Sequence, residues 1–110
     1  MTQRTVPMED LLDSLKDPYV FCDTGHVIRY MNRVARERYA GRPAEVGRSI
    51  FDCHNAQSNA QIEVVSARLQ GGEDEVLISD DEDHRVYMRA VRGQDGAYLG
   101  YFERYEPPAR

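Results

Sequence analysis

Residues 19 to 39 read YVFCDTGHVIRYMNRVARERY. Two short runs rich in Val, Ile, Phe and Tyr flank the sequence DTGH at 23–26, which is typical of the turn of a β-hairpin. Asn32 follows the second run and is a favoured residue for the N-terminal cap of a helix. The stretch therefore predicts two strands and then a helix, at residues 19–23, 27–31 and 33–39.

The rest of the chain predicts two further helices and three further strands. Leucines recur at helical spacing over residues 8–16, and Pro18 stops that helix. Ser58 and Gln61 have the spacing of a capping box, which predicts the start of a longer helix that ends at the glycines 71–72. The three runs that resemble strands lie at residues 75–79, 85–92 and 97–105.

This order of elements predicts an α+β fold, in which a five-stranded antiparallel sheet has helices packed on one face. The connections between the elements are short and no internal repeat is present. The length fits a single domain, so we expect one domain over residues 1–110, with a core at about 19–106 and an N-terminal helix at about 8–16.

The composition excludes several classes of partner. The net charge is -5 and Lys16 is the only lysine, whereas binding to duplex nucleic acid requires clustered Lys and Arg. No apolar run approaches the roughly 18 residues of a membrane span, and the first residues lack the apolar core of a signal peptide. Cys22 and Cys53 do not form a disulfide framework. We therefore expect a cytoplasmic protein with neither a nucleic-acid nor a membrane partner.

Three motifs occur at places where one known fold has turns or strand ends. They are DTGHVIRYMNRVA at 23–35, GRSI at 47–50 and RGQDGAYLG at 92–100. In this order and spacing they resemble the Per-Arnt-Sim (PAS) family of sensor domains, and the resemblance covers about residues 8–106.

The resemblance implies a five-stranded antiparallel sheet whose concave face is covered by helices, with a ligand cavity between them. It implies sensing or dimerisation rather than catalysis, so we expect no enzyme. Members of the family bind haem, flavin, small acids or no ligand, which leaves the cofactor open, with haem among the candidates. The resemblance also implies a homodimer formed through the N-terminal helix and the open face of the sheet, and a signalling partner protein.

Cys53-His54, just before the long helix, and YLG at 98–100 are similar to a bacterial subgroup of the family. His54 is a candidate ligand of haem iron or a metal, and Cys53 is a candidate thiolate ligand. The alternative is a histidine satisfied by a backbone carbonyl beside a buried cysteine. In the haem-binding oxygen sensors of the family the proximal histidine lies further along the long helix, where residues 61–69 of this chain contain none.

A ligand pocket between sheet and helix would be lined by side chains that project inward from both. In the fourth strand, alternation puts Val86, Met88 and Ala90 on the face expected to be core, so that Tyr87 and Arg89 point outward. Alternation does not tell which face of the sheet is concave. Our candidates for the pocket are Tyr30, Asn32, Gln61, Met88 and Tyr101.

Three functions are consistent with these residues. The first is a PAS-type sensory domain that binds a small molecule or a partner and mediates dimerisation. The second is a haem- or metal-binding redox or gas sensor that uses His54. The third is a purely structural dimerisation module with a core filled by side chains. The acidic run at 80–83 predicts a solvated hairpin tip, because it lacks the glycine and the distal glutamate of a calcium loop.

Overall fold

The computed structural model describes residues 5–108, so the predicted domain of residues 1–110 extends beyond the described part at both ends. The bounds of the predicted strands agree with the observed ones to within a residue. In chain order the elements are α1 (Met8–Asp13), β1 (Val20–Asp23), β2 (Ile28–Met31), α2 (Arg33–Arg38), a 3₁₀ helix (Ile50–Cys53), α3 (Ala56–Gln70), β3 (Glu75–Asp80), β4 (Arg85–Arg92) and β5 (Tyr98–Glu106).

The five strands form one antiparallel sheet in the order β2-β1-β5-β4-β3. The last strand, β5, is central and pairs with β1, where Phe21 lies opposite Phe102, and with β4. We call the face covered by α2, the 3₁₀ helix and α3 the inner face. The opposite, outer face carries Phe21, Arg89 and Phe102. The predicted α+β fold with a five-stranded antiparallel sheet is confirmed.

The hydrophobic core lies between the inner face and these helices. Ile62, Val65 and Leu69 form a buried stripe along α3, as their helical spacing predicts, and they pack against Met88 and Tyr101 of the sheet. Burial of a side chain as large as Leu69 stabilises the folded state by about 1.5–3 kcal/mol. The stripe therefore holds α3 in place over the sheet.

Strand β2 departs from regular alternation. Ile28 and Met31 are both buried, although residues three apart in a regular strand face opposite sides. The register with β1 shifts between Phe21 and Cys22, which is the irregularity that allows both to point inward. As a consequence Tyr30 projects from the outer face, beside α1.

The helix α3 begins earlier than predicted. Its cap is Asn55, whose side chain accepts a hydrogen bond from the amide of Ser58 at 2.8 Å. The predicted capping box of Ser58 and Gln61 is therefore wrong. Asn is as good a cap as Ser, and its place here puts Ser58 in the first turn, while the Gln61 side chain donates to the carbonyl of Ile78 on β3.

The hairpin turn is tied to the 3₁₀ helix through His26. This residue has a φ of 66°, a left-handed conformation that residues other than glycine seldom adopt. Its carbonyl accepts a hydrogen bond from the amide of Ile50 at 2.8 Å, and its ring lies 4.7 Å from the ring of Phe51. Contacts of this kind fix the segment that leads into α3 against the edge of the sheet.

Candidate functional site

Two adjoining cavities lie between the inner face of the sheet and the helices. The smaller has a volume of about 110 Å³ and mainly apolar walls that include Ile28 and Ile50. The larger has a volume of about 270 Å³ and opens to solvent beside α3, with Met88 in its wall. His54 and Glu103 line both cavities and therefore stand where the two meet.

His54 follows the 3₁₀ helix and turns one side of its ring back toward that helix. Its Nδ1 lies 2.9 Å from the carbonyl oxygen of Ile50. Because a carbonyl oxygen can only accept, the hydrogen of the neutral imidazole is assigned to Nδ1, and Nε2 carries the free lone pair. One side of the ring is thus satisfied by the backbone, and the other side is a hydrogen-bond acceptor.

Cys53 shares the same backbone carbonyl. Its Sγ lies 3.2 Å from the oxygen of Ile50 and 3.3 Å from Nδ1 of His54. Burial raises the pKa of the Cys53 thiol, and it raises the pKa of Cys22 to about 12. Both cysteines are therefore protonated at neutral pH, which disfavours either of them as a thiolate ligand or a nucleophile.

The central strand carries a carboxyl group on its inner face, at Glu103. The hydroxyl of Tyr105 donates to its Oε2 over 3.2 Å. Burial raises the pKa of Glu103, while this hydrogen bond and, in its imidazolium form, His54 act in the opposite direction. The sequence analysis missed Glu103, although the alternation that puts Tyr101 on the inner face also puts Glu103 and Tyr105 there. A carboxyl group facing the core with a perturbed pKa is a recognised sign of a functional site.

The cavities do not fit a haem group. A porphyrin is a flat macrocycle that needs one wide apolar slot, whereas this space is divided at His54 and Glu103. Across residues 5–108, no three His, Cys, Asp or Glu side chains are grouped so that they could hold a metal ion.

Of the five side chains predicted to line a ligand pocket, three lie on the inner side of the sheet. Gln61 and Met88 line the larger cavity together with His54. Tyr101 is buried in the core, and its hydroxyl lies 2.9 Å from Nδ1 of His26, so that its polar group is already paired. Gln61 is thus the predicted residue with a polar group at the cavity.

The other two, Tyr30 and Asn32, lie away from both cavities. The Tyr30 hydroxyl donates to Asp13 at 3.1 Å on the outer face. The buried side chain of Asn32 caps α2 and uses all of its hydrogen bonds on the backbone, so it has none left for a ligand. Its partners are the amides of Tyr19 and Ala35 and the carbonyls of Leu12 and Asp17. The helix α1 ends at Asp13 rather than at the predicted Lys16, and the Leu12 carbonyl in its last turn accepts from both Asn32 and the amide of Leu15.

The outer face carries a third concavity, which we call the outer groove. Its volume is about 500 Å³. It lies between the α1 segment and the sheet, and its apolar lining is formed by Leu12, Leu15, Tyr19, Phe21, Val91 and Phe102. At one end Arg104 pairs with Glu75 at 2.7 Å and stacks 4.2 Å from the ring centre of Tyr87. The groove is therefore apolar along its floor and charged at this border.

Comparisons with known proteins agree with this architecture. A family model described as PAS domain matches residues 8–105. The C-terminal domain of a Streptococcus mutans protein is similar, with a TM-score of 0.76 at 21% identity over 96% of this chain and 92% of that one. A sensory box sensor histidine kinase from Vibrio cholerae has a TM-score of 0.66 at 15% identity, over 91% of this chain and 87% of that one.

The Vibrio cholerae protein VqmA is also similar, in a structure of its dimer without target DNA. The TM-score is 0.72 at 18% identity, over 94% of this chain and 52% of VqmA, so this chain spans about half the length of VqmA. Another structure that matches is of VqmA bound to DPO. At these identities the likeness to solved structures establishes the fold.

A search of the curated proteins found no match to the chain. Within residues 5–108, no helix is both long enough and apolar enough to cross a membrane. The family match nonetheless extends from α1 to the end of the central strand, and so includes every element of the sheet and its helices. The chain therefore belongs to the PAS domain family of sensory signalling domains.

Proposed function

We propose that this PAS domain senses a small molecule that binds where the two inner cavities meet, at His54 and Glu103, and that it does so without catalysis. The observation that carries the proposal is the desolvated carboxyl group of Glu103, which has cavity space on both sides. Small-molecule sites are mostly apolar concavities with a few polar groups that orient the ligand. The two cavities together have that character.

Two of the similar proteins support a role of this kind. VqmA, which shares the fold over about half its length, has been solved bound to DPO. A sensory box histidine kinase shares the fold over most of this chain. These names describe those proteins, and for this chain they favour a ligand-sensing function over a purely structural one.

The central strand offers a route from ligand to signal. Glu103 faces the inner cavities, while its neighbours Phe102 and Arg104 face the outer groove. A ligand that binds Glu103 changes the local position of β5, and with it the packing at the groove. The response is a shift between two packings of the same fold, driven by the difference in ligand affinity between them.

We further propose that the outer groove is the surface through which two copies of the chain pair. Apolar side chains continue from the groove onto the α1 segment, where Leu11 is 53% exposed and Leu15 is 37% exposed. An apolar surface of this kind is typical of a protein interface, and a symmetric dimer is the simplest assembly that covers it. Signal output then passes to a partner protein through the pairing of the two copies.

Two finer assignments complete the proposal. Cys53-His54 stands directly before the cap of α3, which supports membership of the bacterial subgroup with that pair at this position. Both cysteines are free thiols, which supports a location in the reducing cytoplasm.

The proposal is tested by screening a library of small fragments against the ¹⁵N-labelled protein. We expect fragments to shift the amide resonances around His54 and Glu103. In Ala44→Leu, a larger side chain fills the wall of the smaller cavity, and these shifts are expected to weaken. Ala60→Leu makes the same change on the exposed face of α3 and is expected to leave them intact. If no fragment shifts these resonances, the chain is a structural dimerisation module instead.

A further inference from the structure

The polar side chains of the inner cavities direct their hydrogen-bond donors at the protein itself. Three such donors come from the 3₁₀ segment, from α3 and from β5. The pairs are His54 Nδ1 with the carbonyl of Ile50 at 2.9 Å, Gln61 Nε2 with the carbonyl of Ile78 at 3.3 Å, and the Tyr105 hydroxyl with Oε2 of Glu103 at 3.2 Å. In the first two pairs an acceptor atom of the donating side chain stays unpaired, and in the third the second carboxyl oxygen of Glu103 stays unpaired.

The groups left over at the cavities include three acceptors. They are Nε2 of His54, Oε1 of Gln61 and Oε1 of Glu103, none of which receives a hydrogen bond from residues 5–108. His54 and Glu103 line both cavities and Gln61 lines the larger one, so these acceptors converge on one region. A cavity with unpaired hydrogen-bond acceptors favours a ligand that carries hydrogen-bond donors.

Other polar groups at the cavities are able to donate. Arg42 and Tyr39 line the smaller cavity, and Arg42 is exposed, so that water screens its charge. Ser58 and His84 line the larger cavity, and each is able either to donate or to accept. Glu103 is the carboxyl side chain that lies against both cavities, and its Oε1 is free to accept a hydrogen bond.

We infer that the site takes a small planar ligand that presents N–H donors, of the amidine or amino-heterocycle class, in preference to a carboxylate of the same shape. The inference rests on the proposed small-molecule function and adds the chemical class of the ligand. Glu103 supplies a carboxyl acceptor, the ring nitrogen of His54 and the amide oxygen of Gln61 supply two more, and the apolar walls of the smaller cavity take the ring. A carboxylate ligand would instead lie against the carboxyl group of Glu103, with the exposed Arg42 as its cationic partner.

The test compares two probes of one shape, benzamidine and benzoate, titrated into the full chain at about pH 8. Binding is followed by the amide resonances around His54 and Glu103. We expect benzamidine to bind at least about tenfold more tightly than benzoate, because its donors meet the free carboxyl oxygen of Glu103. Glu103→Gln is expected to remove this preference. Glu63→Gln makes the same change on the exposed face of α3 and is expected to retain it.

Benzoate binding as tightly as benzamidine to the unaltered protein would overturn the inference, and that comparison needs no variant to fold. The proposed function would then still stand, because a small molecule would have entered the cavity. A preference for benzamidine that survives Glu103→Gln would also overturn the inference, since the acceptor would lie elsewhere. If neither probe shifts the resonances, the ligand class is wrong, and the fragment screen with Ala44→Leu decides separately whether the cavity binds anything.

Discussion

At Glu103, burial holds the pKa of the side chain above its ordinary value of 4.5. In the pH range just above that value, the folded chain keeps a proton that the unfolded chain has released. The free energy of unfolding contributed by this residue is therefore full below pH 4.5 and falls as the pH rises through the folded pKa. We expect Glu103→Gln to remove this fall and to be more stable than the unaltered protein at neutral pH. Urea unfolding followed by circular dichroism between about pH 4 and pH 8 measures it.

Two other carboxyl groups serve as controls for that measurement. Glu63→Gln, on the exposed face of α3, is expected to leave the pH profile unchanged. On the outer face, Arg104 and then Arg89 lower the pKa of Glu75 to about 2, so its contribution is lost as the pH falls from 4.5 toward that value. The two windows lie on opposite sides of pH 4.5, so Glu75 cannot produce the fall above it. Parallel profiles for the unaltered protein and Glu103→Gln would contradict the prediction.

Single residues of the site differ in how far the sequence could predict them. The position of Glu103 could have been predicted, because residues two apart in a strand share a face and Tyr101 is on the inner face. Tyr30 was not, because the register shift between β1 and β2 breaks that period, and nothing local in the sequence marks the shift. The free acceptor of His54 depends on where the carbonyl of Ile50 points, which only the folded 3₁₀ helix determines.

Among the helices, α3 allows a direct test of which residue caps it. The Asn55 side chain accepts from the amide of Ser58, and an alanine at position 55 leaves that amide without its partner. We expect Asn55→Ala to lower the free energy of unfolding by about 1 kcal/mol. Ser58→Ala keeps the amide and is expected to change it by less than about 0.5 kcal/mol. Urea unfolding of both variants is the measurement, and a larger loss for Ser58→Ala would show that the helix begins at the later residue.

Some helices and strands of this fold can be predicted from local sequence patterns and others cannot. The hairpin and the cap of α2 were predicted because their determinants, the turn at 23–26 and Asn32, lie within a few residues of the elements they define. Two good caps three residues apart, Asn55 and Ser58, made the start of α3 ambiguous. The last turn of α1 is bonded through the carbonyl of Leu12 to Asn32, which lies twenty residues away along the chain. Local pattern cannot reveal a bond of that range.

In the molecule as a whole, the central place of β5 links the two sides of the sheet. The strand is last in sequence but lies between β1 and β4, so it joins a local hairpin with β4 to a long-range pairing with β1. Successive residues of β5 therefore face the inner cavities and the outer groove in turn. If the groove is the dimer surface, a ligand at Glu103 and the strength of pairing are thermodynamically coupled, and each must change the other by the same factor.

The proposed pairing is tested at Leu15, which lines the outer groove and is 37% exposed. In Leu15→Glu, pairing would bury a carboxylate against apolar side chains, and the free energy of removing that charge from water opposes dimerisation. We expect sedimentation equilibrium to show a dimer for the unaltered protein and a dissociation constant raised by at least about tenfold for Leu15→Glu. Val64→Glu provides the control, because Val64 is a 61% exposed apolar residue on α3, on the other side of the sheet. An unaltered protein that stays monomeric at high concentration would contradict the proposal. So would a dimer that Val64→Glu weakens and Leu15→Glu does not, because the interface would then lie on the helical side, over the ligand cavities.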